Sequence, residues 1–186
     1  HTKATLFAKA KGENSRITIR NVIAGNGKQL FDISTIAVNS GKDTKTSVQS
    51  AALLRGFSKA TLKEFAKIEK TAQGSNSTIE ERGMLFDDTE FTPLPDMQVD
   101  TKEVNVASHS AASAPIDQKA LFYLMSRGIS KSLAENTIST GFLARYVGKI
   151  EDANSKRLSA ALIRNKVYYG DCLKEFENLG IDKLWV

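Results

Sequence analysis

Two histidines, His1 and His109, and one cysteine, Cys172, are all the imidazole and thiol this chain has. A Ser-His-Asp or Cys-His site would therefore have to be built on His109. That residue stands in Ala107-Ser108-His109-Ser110-Ala111-Ala112-Ser113, among small side chains that leave an imidazole accessible. At the end of a strand such a group can face a metal or a partner surface. The residues alone favour a solvated or structural histidine. Cys172 falls on an apolar helical stripe and reads as a buried small hydrophobe. A single cysteine forms no internal disulfide, excludes a Cys-x-x-Cys metal site and fits a reducing compartment. Glu80-Glu81 and Asp87-Asp88 are adjacent pairs, whose side chains in a strand would point to opposite faces. A solvated loop explains them better than acid–base catalysis. Gly25-Asn26-Gly27-Lys28 lacks the rest of a phosphate-loop spacing and the Ser/Thr after its lysine.

The elements that must position these groups fall into two halves. Up to about His109, apolar residues alternate or come in short β-rich bursts: Leu6-Phe7-Ala8, Ile17-Thr18-Ile19, Leu30 to Ile33 and Ile36 to Val38. Turn clusters separate them at Lys11 to Asn14, Ala24 to Gly27 and Asn39 to Asp43, with Asn26-Gly27 a tight-turn signal. Further strands are expected over Thr46 to Leu54, Thr61 to Glu69, Ser77 to Leu85, Met97 to Val99 and Glu103 to Ala107. Pro93 and Pro95 mark a loop or an edge. Many short strands without helices between them mean a sandwich, a barrel or a solenoid. Strand-turn units recur at roughly twenty-residue spacing without a fixed motif, which leaves sandwich and solenoid level.

After Pro115 the period becomes helical. Asp117 can cap a helix bearing Ala120, Leu121, Leu124 and Met125 on one side and ending at Gly128. Ser130 starts a longer helix, with Ser132 and Glu135 as a capping box and Ile138, Phe142, Tyr146 and Ile150 as its apolar stripe. A third helix is expected from about Asn154 to Asn178, with Leu158, Leu162, Tyr169, Cys172, Leu173 and Phe176 inward and Gly180 as its stop. The division is a β-domain over 1–110 and a helical domain over 111–186, joined by a linker from Ser108 to Pro115.

Bulk composition is that of a globular protein, 41% hydrophobic and 25% charged. No apolar run reaches membrane-spanning length. The net charge of +5 is spread over both halves without a dense basic run or interleaved aromatics, which argues against nucleic acid. An opening on His1 in place of Met reads as a fragment.

Val104 to Ser130 resembles the core signature of the SufB/SufD family of iron–sulfur cluster assembly proteins. The matching elements are Val104, Ser108-His109, Ile116-Asp117, Leu121-Phe122-Tyr123-Leu124 and Ser126-Arg127-Gly128-Ile129-Ser130. Glu80 to Leu85 followed by Pro93-x-Pro95 resembles the family's last β-rungs, and Gly141-Phe142-Leu143 its first long C-terminal helix. The resemblance weakens before about Lys45 and after about Lys166.

That resemblance implies a right-handed parallel β-helix followed by a C-terminal helical domain, which decides for the solenoid. It implies a cytoplasmic, non-enzymatic scaffold for nascent clusters. Such a subunit pairs through its β-helix with a SufB-type subunit or a second copy of itself. Its C-terminal helices dock a SufC-type ATPase, which hydrolyses the ATP. His109 matches the family's interface histidine, implicated in holding iron or a nascent cluster. Ser110 stands where the SufB branch carries glutamate, the β-region has no cysteine, and Ala107 occupies a possible SufD-type cysteine position. These departures imply a SufD-like role, with no cluster bound stably by this chain alone and one held transiently in the assembled complex. Tyr146, Lys149, Lys156 and Arg157, near the second helix–helix turn, are the expected exposed contacts for a partner. The rival reading is a carbohydrate-active or adhesive β-solenoid without metal function. It requires carboxylates or aromatics along one solenoid face, whereas Phe7, Phe31, Phe57, Phe65, Phe86 and Phe91 read as core.

Overall fold

The computed structural model describes residues 1–169. Among the described residues, 1–114 form one compact unit and 115–169 belong to a second. The first is a parallel β-solenoid of four turns, each turn two strands joined by a corner. The strands are β1 (Thr2–Ala10), β2 (Arg16–Gly25), β3 (Leu30–Asn39), β4 (Lys45–Leu54), β5 (Lys59–Ile68), β6 (Ser75–Leu85), β7 (Glu90–Val99) and β8 (Val104–Pro115). Odd-numbered strands stack as one sheet in the order β1-β3-β5-β7, and even-numbered strands as a second, β2-β4-β6-β8. Arg16 pairs with Lys45 and Lys45 with Asn76, so a turn takes 29 residues and then 31. The roughly twenty-residue recurrence expected of strand-turn units is corrected: strands start 14–16 residues apart, and a full turn spends two of them before it repeats.

The corners explain why the chain turns where it does. One corner recurs at Asn14, Asp43 and Gly74, all with left-handed backbone, and the opposite one at Gly27, Gly56 and Asp87. Glycine, Asn and Asp are the residues that tolerate this conformation. The corners also bond along the solenoid axis, Asn14 N–H to Lys42 O at 3.0 Å, Asp43 N–H to Gln73 O at 2.9 Å and Gly74 N–H to Glu103 O at 2.7 Å.

Alternation along the strands, clearest in β5 and β6, fills the interior with columns of equivalent residues. In β5, Ala60, Leu62, Glu64, Ala66 and Ile68 are buried. The intervening Lys59, Lys63 and Lys67 pair on the outside with Glu90, Asp32 and Asp100 of neighbouring turns. Two apolar clusters form: Ile19, Ala37, Val48, Ala66 and Ile79, then Ile23, Ala52, Leu54, Ala60 and Leu62. The six phenylalanines expected in the core are only partly buried at best, and Phe7 and Phe57 are exposed. Pro93 and Pro95 lie within β7, the last strand of its sheet, where a missing N–H is tolerated. The expected linker from Ser108 to Pro115 is instead the second half of β8. Its Ala/Ser-rich sequence has no helical or turn signal and runs on as extended chain. Glu80 and Glu81 lie in β6, not in a loop, and point to opposite sides as strand geometry requires.

The second unit contains α1 (Gln118–Ser126), α2 (Lys131–Val147) and α3 (Ala153–Tyr169). Asp117 caps α1 by accepting from Lys119 N–H at 2.9 Å, and Gly128 follows its end with φ of 85°. Ser130 caps α2 by accepting from Leu133 N–H at 3.4 Å, which replaces the expected Ser132/Glu135 box. The buried face of α2 is Ala134, Asn136, Ser139, Leu143, Tyr146 and Val147. The expected stripe of Ile138, Phe142 and Ile150 is half-buried at its flank. Ala134 and Ser139 keep the buried face of α2 low, and α2 packs on both α1 and α3. Leu158 and Leu162 of α3 are half-buried, while Cys172, Leu173, Phe176 and the stop at Gly180 lie outside the described residues. Among the described residues, no helix is long and apolar enough to cross a membrane.

Candidate functional site

β8 is the strand that presents His109. It closes the even-numbered sheet, and every residue from Asn105 to Pro115 is exposed. The strand is anchored at its start, where Asn105 Nδ2 donates to Gly74 O at 2.6 Å. Further along, Arg82 Nη2 reaches Ser110 Oγ at 3.4 Å, while its Nε holds Glu80 at 3.1 Å. His109 immediately precedes Ser110 on this exposed strand, so its side chain projects from the face opposite the braced arginine. Among the described residues no group of three or more His, Cys, Asp or Glu side chains converges as a metal site. His109 offers one nitrogen ligand, and further ligands for iron or a cluster have to come from elsewhere.

The four expected partner contacts separate. Lys149 is exposed on the turn after α2, and Lys156 and Arg157 are exposed on the first turn of α3. Tyr146 is corrected: it is 2% exposed, on the buried face of α2, with Phe142 edge-on at 6.1 Å. Its ring belongs to the helical packing, as its place on the apolar stripe already implied. The start of α3 is fixed by Asp152, which accepts from Ser155 N–H at 2.6 Å; the Ser155 hydroxyl first and this amide second hold the Asp152 carboxyl below its ordinary pKa. On α1, Phe122, Tyr123 and Met125 of the Leu121-to-Ser130 motif are exposed, with Arg127 stacked 5.3 Å over the Tyr123 ring.

Sequence reasoning missed a second constellation, inside the solenoid. Between the two apolar clusters runs a polar stripe. In one sheet Asn21, Ser50 and Glu81 occupy one register column, and in the other Thr35 and Glu64 do. Asn21 Nδ2 donates to Thr35 Oγ1 at 2.9 Å, Ser50 Oγ at 3.0 Å and Glu64 Oε1 at 3.2 Å, and Ser50 Oγ also bonds Glu64 Oε1. Glu64 is 1% exposed and Glu81 fully buried. Burial raises the pKa of Glu64 above the usual carboxylate value, against the hydrogen bonds from Ser50 and Asn21. Burial first, and the neighbouring Glu64 charge second, push Glu81 up to about 8. The Leu94 amide offsets this only in part, without closing a hydrogen bond. The signal that could have found the pair is the inward parity of Glu64 and Glu81 within otherwise apolar or small-residue strands.

Comparison with known proteins places this architecture. Residues 1–142 match the family model described as SUF system FeS cluster assembly, SufBD core domain. The chain is 28% identical over 157 residues to the iron–sulfur cluster assembly protein SufD of Bacillus subtilis, covering 84% of this chain and 36% of that protein. It is 30% identical over 132 residues to a SufBD family protein of Synechocystis, covering 70% of this chain and 27% of the relative. Against SufB of Bacillus subtilis it is 26% identical over 142 residues, 75% of this chain and 30% of the other. The chain thus spans little more than a third of these relatives at most. The open-stranded parallel solenoid, the Leu121-to-Ser130 motif and the match over residues 1–142 together make the chain a member of the SufB/SufD family of iron–sulfur cluster assembly proteins.

Proposed function

We propose that this chain acts as a non-catalytic, SufD-like scaffold subunit in SUF-type iron–sulfur cluster assembly. In this reading it pairs through its solenoid with a SufB-type subunit or a second copy of itself. Its C-terminal helices dock a SufC-type ATPase, and His109 lends one ligand to iron or a nascent cluster that is cargo rather than resident cofactor. The observation that carries the reading is β8, an exposed twelve-residue strand at the end of a sheet with His109 at its middle. An unpaired edge is a template for a second chain. A ligand borne on such an edge meets ligands from a partner only once the strands are paired, which suits a lone imidazole. The chain's one cysteine, Cys172, lies outside the solenoid, so the thiolates a cluster needs come from the pairing subunit. The cytoplasm is the compartment in which such thiolates stay reduced. Lys149, Lys156 and Arg157 supply a basic, exposed turn for the ATPase, and Phe122, Tyr123 and Met125 an apolar face near the family motif.

The test is reconstitution of the assembled complex with His109→Ala. Thermal unfolding of the variant should match the parent within about 0.5 kcal/mol, as expected for an exposed position. Cluster formation, followed by visible absorption and circular dichroism under anaerobic conditions, should fall at least severalfold. An unchanged cluster yield would remove the histidine from the chemistry. Failure of the full-length protein to co-purify with a SufC-type ATPase would remove the scaffold reading itself.

A further inference from the structure

Asn26 and Gly27 sit exposed on the corner between β2 and β3, and the proposed function makes no use of them. Asn26 is the one asparagine in the chain followed by glycine. An asparagine carboxamide is open to attack by the main-chain nitrogen of the next residue, and a Cβ on that residue hinders the approach. Gly27 has none, and nothing lies within 4 Å of the place a Cβ would take. Asn26 Oδ1 accepts from Gly27 N–H at 2.8 Å, so the carboxamide is folded back over the nitrogen that would attack it. Among the described residues that N–H donates to no main-chain carbonyl. The corner is tied to the next turn through its carbonyls instead: Gly25 O accepts from Arg55 N–H at 3.0 Å and Gly27 O from Phe57 N–H at 2.8 Å.

Asn14, Asn39, Asn76 and Asn154 each precede serine, and the fold engages the following nitrogen elsewhere. Ser15 N–H donates to Gly12 O at 3.2 Å, Ser40 N–H to Ala10 O at 2.9 Å and Ser155 N–H to Asp152 Oδ2 at 2.6 Å. Asn39 is also buried, its Nδ2 donating to Thr44 Oγ1 at 2.9 Å and its Oδ1 accepting from Thr46 Oγ1 at 2.7 Å. Asn76-Ser77 lies within β6, with Ser77 buried. We propose that Asn26 is a site of non-enzymatic deamidation left open by this fold, and that its isoaspartyl product loosens the corner joining the first two turns. Loss of the Gly27 amide proton to hydroxide frees that nitrogen to bond to Asn26 Cγ. The adduct regains a proton and expels the side-chain nitrogen as ammonia, leaving a five-membered succinimide. Water then adds to either ring carbonyl and reopens the ring, giving aspartate or isoaspartate. The net change is one water taken up and one ammonia released, with no oxidant or reductant. Both products add a negative charge. Isoaspartate also lengthens the main chain by one carbon between the two carbonyls that hold Arg55 and Phe57. The inference does not depend on the scaffold role.

The experiment ages the purified full chain at neutral pH and physiological temperature beside its own tryptic peptides free in solution. Mass spectrometry follows the peptide from Asn21 to Lys28, where exchange of the amide NH2 for OH is located at residue 26 by fragmentation. Isoaspartate is labelled with a protein isoaspartyl methyltransferase. Asn26 should convert in the folded chain at a rate close to that of the free peptide, whereas folding should slow Asn14, Asn39 and Asn154 at least tenfold against theirs. Gly27→Ala and Asn26→Gln should each slow conversion at residue 26 at least tenfold. The aged fraction, separated by ion exchange for its extra negative charge, should unfold at lower urea than fresh chain. An Asn26 that stays intact while the free peptide converts overturns the proposal, because the corner then protects it. Aged and fresh chains that unfold together overturn the loosening. Circular dichroism of each variant before ageing separates a changed rate from a lost fold.

Discussion

Glu81 sits in the register column of Asn21 and Ser50, and its chemistry follows from that address. An acid whose folded pKa is raised to about 8 is favoured by folding in its protonated form. Its contribution is therefore fully present below the unfolded value near 4.5 and is lost as pH rises through 8. The protein should lose stability steadily between about pH 5 and pH 8, then level off as far as this group is concerned. Glu81→Gln should flatten that slope and unfold later than the parent at pH 8, by about 1–3 kcal/mol. Urea unfolding at pH 5 and pH 8 checks this; parallel curves for the two proteins would mean that water reaches the carboxylate. Glu64 adds a slope of the same sign. His109 is the opposite case, exposed on β8, where substitution should register in cluster chemistry and not in stability.

The corners show, at the scale of the element, what the sequence made legible. Asn14, Asp43 and Gly74 perform one task with three residue types, and a two-residue lengthening between the second and third turns shifts their spacing from 29 to 31. Turn chemistry marked three of the six corners, at Lys11 to Asn14, Asn39 to Asp43 and Asn26-Gly27, and the unequal period hid the repeat. Alternation gave the strands but left sandwich and solenoid level, since a strand's period reports its faces and not its neighbours. The resemblance at Leu121 to Ser130 decided between them. Tyr146 was misread because it lies near the second helix–helix turn, although the i+4 stripe through Phe142 already turned the ring inward. The corners carry a graded prediction. At Gly74, φ is 71° and an added Cβ would stand 2.2 Å from Asp43 Oδ1 of the neighbouring turn. At Gly27, φ is 59° with open space beyond. Gly74→Ala should cost about 2–3 kcal/mol, backbone strain plus a displaced Asp43, and Gly27→Ala only about 1 kcal/mol of backbone strain. Equal losses in chemical denaturation would show that the corner stack along the axis carries no weight.

On the proposed reading, the open last strand of the solenoid is its functional edge. Inner turns are covered on both sides, so β5 and β6 bury alternate residues through most of their length, whereas β8 buries none. Folding of the turns and pairing of the edge are therefore separable, because the interior columns are complete without the second half of β8. Proline in that half, at Ala111 or Ala112, removes a strand N–H without removing any buried contact. Ala112→Pro should leave thermal unfolding of the solenoid within about 1 kcal/mol of the parent. It should also weaken pairing with a SufB-type subunit, or with a second copy, at least tenfold in analytical ultracentrifugation, and cluster formation should fall with it, as for His109→Ala. The two variants then differ in one respect that assigns their causes. His109→Ala subunits still pair but hold cargo poorly, while Ala112→Pro subunits do not meet. If Ala112→Pro pairs normally, the edge strand is not the joint, and the imidazole it carries would have to find its co-ligands across another face of the solenoid.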